Sequence, residues 1–176
     1  MTKTNAAILP IITTERLTLR SLAIDDYKAI YELRSDTTIN KFLDRQPCKS
    51  IEEAKSFINR INENIEKGGT YYWAITLNET KQLVGTICLF DFTNEKSCEI
   101  GYELRTKFQG QGIMQEALKN VIDFVFDTLR LKKILAFTHF ENQRSSNLLS
   151  KFNFVKATET DKENHNLTIY TLTKSF

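Results

Sequence analysis

The sequence is short of the residues that commit a chain to a specialised class. Its 176 residues hold three cysteines, Cys48, Cys88 and Cys98, with no C-x-x-C spacing. An odd, scattered set does not make a disulfide framework. Cys88 and Cys98 fall in apolar, strand-like sequence and read as reduced core thiols, which fits a reducing cytosol and a cytoplasmic location. There are two prolines, Pro10 and Pro47, and no Pro/Gly/Ser linker, repeat or low-complexity tract, so a single domain over residues 1–176 is expected. Charge of one sign is also missing. The 24 basic and 22 acidic residues leave a net charge of +2, which offers no pull towards nucleic acid or a membrane surface. No apolar run approaches the ~20 residues of a membrane span. Met1–Ala7, with one lysine and no long apolar stretch, gives no sign of a signal peptide. Two histidines, His139 and His165, are too few for a ligand cluster, and no metal is expected. A catalytic cysteine would have to draw its base from those same two.

What is present is concentrated in Gln109-Gly110-Gln111-Gly112-Ile113-Met114, between a strand-like run at residues 98–104 and a helix-like run at residues 113–128. A glycine turn that opens a helix presents free backbone N–H groups at the helix's positive end, where phosphate or pyrophosphate binds without a basic side chain. The dinucleotide pattern G-x-G-x-x-G fails at Gln115, and the Gly-Lys-Ser/Thr of a nucleoside-triphosphate loop is absent. The turn is therefore an anion-binding candidate of a third kind. Its plain alternative is a turn that only ends a strand and starts a helix.

Residues 16–22 alternate polar and apolar and read as a strand, and Asp25 is expected to cap a short helix to about Leu33. Ser50 and Glu53 form a capping box for a helix with Ile51, Ala54, Phe57, Ile58, Ile61 and Ile65 on one face, ended by Gly68-Gly69. Strands are expected at 71–77, 83–91 and 97–104, close enough for an antiparallel meander. After the turn and its helix come a strand at 134–140, a helix near 145–152, and strands near 154–157 and 167–173. The order β-α-α-β-β-β-α-β-α-β-β implies an α/β (α+β) domain with a mixed, mostly antiparallel sheet and helices on both faces.

The turn resembles the acetyl-CoA-binding segment of the GNAT acetyltransferases, Gln/Arg-x-x-Gly-x-Gly/Ala, with Gln109 first, Gly112 fourth and Met114 where the family has Gly or Ala. Further segments resemble the ribosomal-protein-alanine N-acetyltransferase branch: Thr14-Glu15-Arg16-Leu17, Leu83-Val84-Gly85-Thr86-Ile87, Glu99-Ile100-Gly101-Tyr102-Glu103-Leu104, Gln115-Glu116-Ala117-Leu118, and Asn142 to Ser145 with Lys151-Phe152-Asn153-Phe154. The likeness runs from about residue 14 to 173. Asn153 replaces the usual glycine, as the next best residue for a left-handed turn. Leu149 stands where many members carry a tyrosine general acid.

The resemblance implies acetyl-CoA as co-substrate, no metal, and acetyl transfer to a primary amine by direct attack in a ternary complex. The acceptor would be a small molecule or a protein N-terminus, and the protein a monomer or homodimer. It places Leu104, Gln109, Gly110, Gln111, Gly112, Ile113, Met114, Gln115 and Asn142 against the cofactor. Glu99 is the candidate base, its alternative being a solvent-facing strand residue. Ser145 is the candidate donor to the leaving sulfur, its alternative a serine satisfied by its own helix. Asn142 reads equally as a helix cap. Trp73, Tyr71 and Tyr72 read as core, and His139 as a half-buried structural histidine. Acceptor loops are expected at residues 24–50 and 161–166. The alternative class is a non-catalytic acyl-CoA-binding or regulatory module on the same fold.

Overall fold

The computed structural model describes residues 8–175, so the expectation for Met1–Ala7 lies outside the described residues. The strands are β1 (Ile12–Thr13), β2 (Leu17–Arg20), β3 (Tyr71–Leu77), β4 (Leu83–Phe90), β5 (Ser97–Leu104), β6 (Lys133–His139), β7 (Val155–Thr160) and β8 (Leu167–Thr173). The helices are α1 (Tyr27–Ser35), α2 (Thr37–Asn40), α3 (Ile51–Glu66), α4 (Ile113–Asp123) and α5 (Gln143–Lys151). The expected order is met, with β1 and the four-residue α2 as additions. The strands form one sheet in the order β1-β2-β3-β4-β5-β6-β8-β7. Every neighbouring pair is antiparallel except β5–β6, which the α4 crossover makes parallel.

Helices cover both faces. Tyr72 meets Phe57 of α3, and Trp73 meets Phe124 at the end of the α4 run. Adjacent strand residues point to opposite faces, so these helices lie on opposite sides. Trp73 has no exposed surface and its indole N–H donates to the Pro10 carbonyl at 2.7 Å, which fixes it as core. Among the described residues, no helix is long and apolar enough to cross a membrane.

Two helix starts differ from expectation by one residue. The Ser50 hydroxyl accepts from the Glu53 N–H at 3.2 Å as expected, but the Glu53 carboxylate accepts from the Lys49 N–H at 2.8 Å rather than from Ser50. Asp25 is exposed and caps nothing. A 3₁₀ turn at Ile24–Asp26 pushes the helix on, and Asp26 accepts from the Ala23 N–H while gripping the Arg20 guanidinium at 2.8 and 3.0 Å. Asn153 has φ 63°, the left-handed turn that its place after α5 requires.

The feature that positions the site is a failure of pairing. β5 and β6 pair only from Ser97–Lys133 to Glu99–Leu135. Their other edges stay paired, β5 to β4 as far as Leu104 and β6 to β8 as far as His139. The two strands therefore diverge beyond Glu99 and Leu135, leaving facing main-chain groups free.

Candidate active site

A cleft of about 800 Å³ opens beyond the point where β5 and β6 part, between the end of β5 and the segment that leads from β6 into α5. Its walls are the end of β5, the glycine turn with the start of α4, the first turns of α5, and α2 with the loop after it. Each wall is held by contacts between segments far apart in sequence.

The turn is set by two glycines in the left-handed region, Gly110 with φ 76° and Gly112 with φ 73°. Gly112 is the N-cap of α4 and no side chain among the described residues caps the helix, which leaves the first-turn N–H groups of α4 open beside the cleft. Behind the turn, the Glu116 carboxylate accepts from the Thr14 hydroxyl, the Arg16 N–H at 2.9 Å and the Arg16 guanidinium at 2.6 Å. Arg16 also donates to the Gln111 carbonyl at 3.0 Å. Burial pulls the Glu116 carboxyl upward, but these hydrogen bonds and the Arg16 charge outweigh it and hold the group below its ordinary value.

Gln109 is a clamp. Its amide donates to the Leu104 carbonyl at 2.9 Å and accepts from the Arg144 guanidinium, tying β5, the turn and α5 together. Gly110, Gly112, Ile113, Met114 and Gln115 border the cleft, as does Leu104. Met114 is buried in the core, so its bulk goes inward. Gln111 does not border the cleft: its carbonyl is held by Arg16 and its side chain donates to the Lys107 carbonyl at 3.1 Å.

On the opposite wall, Asn142 caps α5, its side-chain oxygen accepting from the Ser145 N–H at 3.3 Å. Among the described residues its amide nitrogen makes no hydrogen bond, and Asn142 borders the cleft. The Ser145 hydroxyl is buried and lies 2.8 Å from the Tyr102 hydroxyl of β5. The Tyr102 phenol is pushed up to about 12, chiefly by burial. Leu149, at the position of the family's tyrosine, is fully buried in the core.

Glu99 does not border this cleft. It is the last residue of β5 paired with β6, at the vertex where the strands part, and it is half-buried. Burial, then Asp91 and Asp161, raise its carboxyl from 4.5 to about 7. Two carboxylates do border the cleft, Glu141 and Glu103, and Glu103 forms a two-pronged pair with Arg45 at 2.8 and 2.6 Å. Arg45 also donates to Asn40 at 2.7 Å, fastening the loop after α2 to the end of β5. His139 is half-buried, its Nδ1 accepting from the Glu141 N–H at 3.2 Å, with Phe42 and Phe140 against its ring.

Tyr102 and Arg45 were not singled out from sequence. Period-2 alternation puts Tyr102 on the face opposite Glu99 and Glu103, a legible signal. Its partner Ser145 lies 43 residues on, and Arg45 lies 58 residues before Glu103, so neither contact has a local signature.

Residues 16–155 match the acetyltransferase (GNAT) domain, and the chain belongs to the GNAT acetyltransferase family. It is an N-acetyltransferase of that family. It is 32% identical over 145 residues, 81% of each chain, to the uncharacterized N-acetyltransferase p20 of Bacillus licheniformis. It is 30% identical over 104 residues, 56% of this chain and 52% of the relative, to the ribosomal protein uS5-alanine N-acetyltransferase of Escherichia coli. The fold superposes on spermidine N-acetyltransferase from Vibrio cholerae, solved with CoA and spermine, at a TM-score of 0.78. That match covers 91% of this chain and 96% of the other at 22% identity.

Proposed function

We propose that this protein transfers the acetyl group of acetyl-CoA to a cationic primary amine, a polyamine-like small molecule or a protein N-terminus, by direct attack in a ternary complex in the cytoplasm. The observation that carries the reading is the cleft between the diverging ends of β5 and β6, floored by an uncapped helix start behind two left-handed glycines. A pyrophosphate suits those N–H groups. The pantetheine arm would run along the freed strand edges, with the Asn142 amide nitrogen as an added donor. Named relatives act on spermidine and on a ribosomal-protein alanine, both amines.

Attack needs a neutral amine. Glu99 stands at the vertex with its carboxyl at about 7, so it can take the ammonium proton near neutral pH, directly or through water. The C–N bond then forms, the nitrogen gives its second proton to water, the C–S bond breaks, and sulfur leaves with the electron pair towards the Ser145 hydroxyl. Asp91 and Asp161, beside Glu99, favour a cationic acceptor over a neutral or acidic one.

The test is release of free CoA thiol from acetyl-CoA with a panel of polyamines, peptides of varied N-terminus and acidic amines. Amine-dependent release, greatest with cationic acceptors, is expected. Tight acetyl-CoA binding with no thiol release across the panel would instead mark a non-catalytic acyl-CoA-binding module.

A further inference from the structure

We propose that Tyr102 is a positioning residue for the leaving group: its phenol donates to Ser145 Oγ, which leaves the Ser145 O–H pointed at the departing sulfur. The inference rests on the acetyl-transfer reading and adds a residue to it. Two hydroxyls 2.8 Å apart carry two protons, and one hydrogen bond between them uses one. The second proton is left for the cleft that both side chains border.

Which hydroxyl gives and which receives follows from their chemistry. A phenol is a stronger hydrogen-bond donor than an alcohol, and it is protonated at neutral pH. Tyrosine therefore gives and serine receives. A first-turn serine can turn its O–H back onto the chain just before its helix, here the Glu141 or Asn142 carbonyl. No such bond forms among the described residues. The Ser145 hydroxyl is instead engaged by a side chain from the other wall of the cleft. Leu149 closes off a phenol from α5 itself, and β5 supplies one instead.

In the reaction the neutral amine, its first proton already taken by Glu99 or water, bonds to the acetyl carbon and gives its second proton to water. The C–S electron pair goes to sulfur, which leaves as a thiolate accepting from the Ser145 O–H. Solvent protonates the thiolate on release. Tyr102 loses no proton and touches neither acetyl group nor sulfur.

A double-mutant cycle tests this, with kcat and acetyl-CoA affinity measured for Tyr102→Phe, Ser145→Ala and the pair. Tyr102→Phe should lower kcat by roughly 5- to 10-fold, the value of about one hydrogen bond, with affinity within about twofold of wild type. Ser145→Ala should lower kcat at least as much. The double variant should match Ser145→Ala, because Tyr102 acts only through that hydroxyl. Ser145→Thr, which keeps a hydroxyl, should restore the sensitivity to Tyr102→Phe. Losses that multiply, or Tyr102→Phe with unchanged kcat, would overturn the pairing while leaving acetyl transfer standing. A wild-type protein that transfers nothing would overturn both.

Discussion

At neutral pH a carboxyl group that titrates at about 7 is protonated in roughly half of the molecules, and Glu99 is such a group. Its environment disfavours the anion in the folded state, so the sign of its stability effect is opposite to that of a salt-bridged carboxylate. The contribution of Glu99 to folded-state stability is greatest below about 4.5 and is lost as pH rises to 7, where the buried charge must form. Glu99→Gln should match wild type in denaturant unfolding near pH 4 and exceed it at pH 8. The gain should be about 1 kcal/mol, since half-exposure screens much of the cost. Turnover should move the other way, falling roughly 10²-fold at pH 7 and recovering as free amine becomes abundant at higher pH. A variant no stabler at pH 8, or a rate loss that ignores pH, would make Glu99 a plain strand residue.

Among the elements, the turn before α4 carries the most. Gly110 and Gly112 are both left-handed, and an added Cβ meets nothing within 4 Å at Gly110 and only an Arg16 nitrogen at 3.5 Å at Gly112. Space is therefore not what restricts them. The backbone conformation is, and an alanine at either position should cost about 1–2 kcal/mol of stability in thermal or denaturant unfolding. Gly110→Ala is thus as strained as Gly112→Ala, and both should weaken acetyl-CoA binding in calorimetry by loosening the N–H cradle. Wild-type melting and affinity for either variant would contradict the assignment of the turn. Sequence alone identified this turn because its glycines and helix start are adjacent in the chain. It did not reveal what stiffens the turn. Thr14-Glu15-Arg16 and Gln115-Glu116-Ala117-Leu118 appear as two separate motifs, and the structure joins them through the Glu116 carboxylate.

For the molecule as a whole, legibility follows the range of the interactions. The meander strands fall where strand-like runs between turns place them, with Tyr71–Leu77 and Ser97–Leu104 as expected, because each is marked by local turns and burial. The parallel β5–β6 pair follows from the length of the α4 crossover, but the residue at which it comes apart is a tertiary fact. So are the Arg45 fastening of the α2 loop and the approach of Tyr102 to Ser145, each spanning tens of residues. These long-range contacts decide which side chains border the cleft, and they leave Glu99 outside its lining, at the vertex where the strands part.

The central claim is that acetyl-CoA lies in the β5–β6 cleft with its pyrophosphate on the glycine turn. Amide hydrogen exchange compared with CoA and with pantetheine, which lacks the pyrophosphate, tests it most directly. Saturating CoA should slow exchange at the Gly112, Ile113, Met114 and Gln115 amides, which the fold otherwise leaves uncapped, while pantetheine should leave these four amides fast. Equal protection by both ligands, or protection by CoA that spares the turn, would contradict the claim.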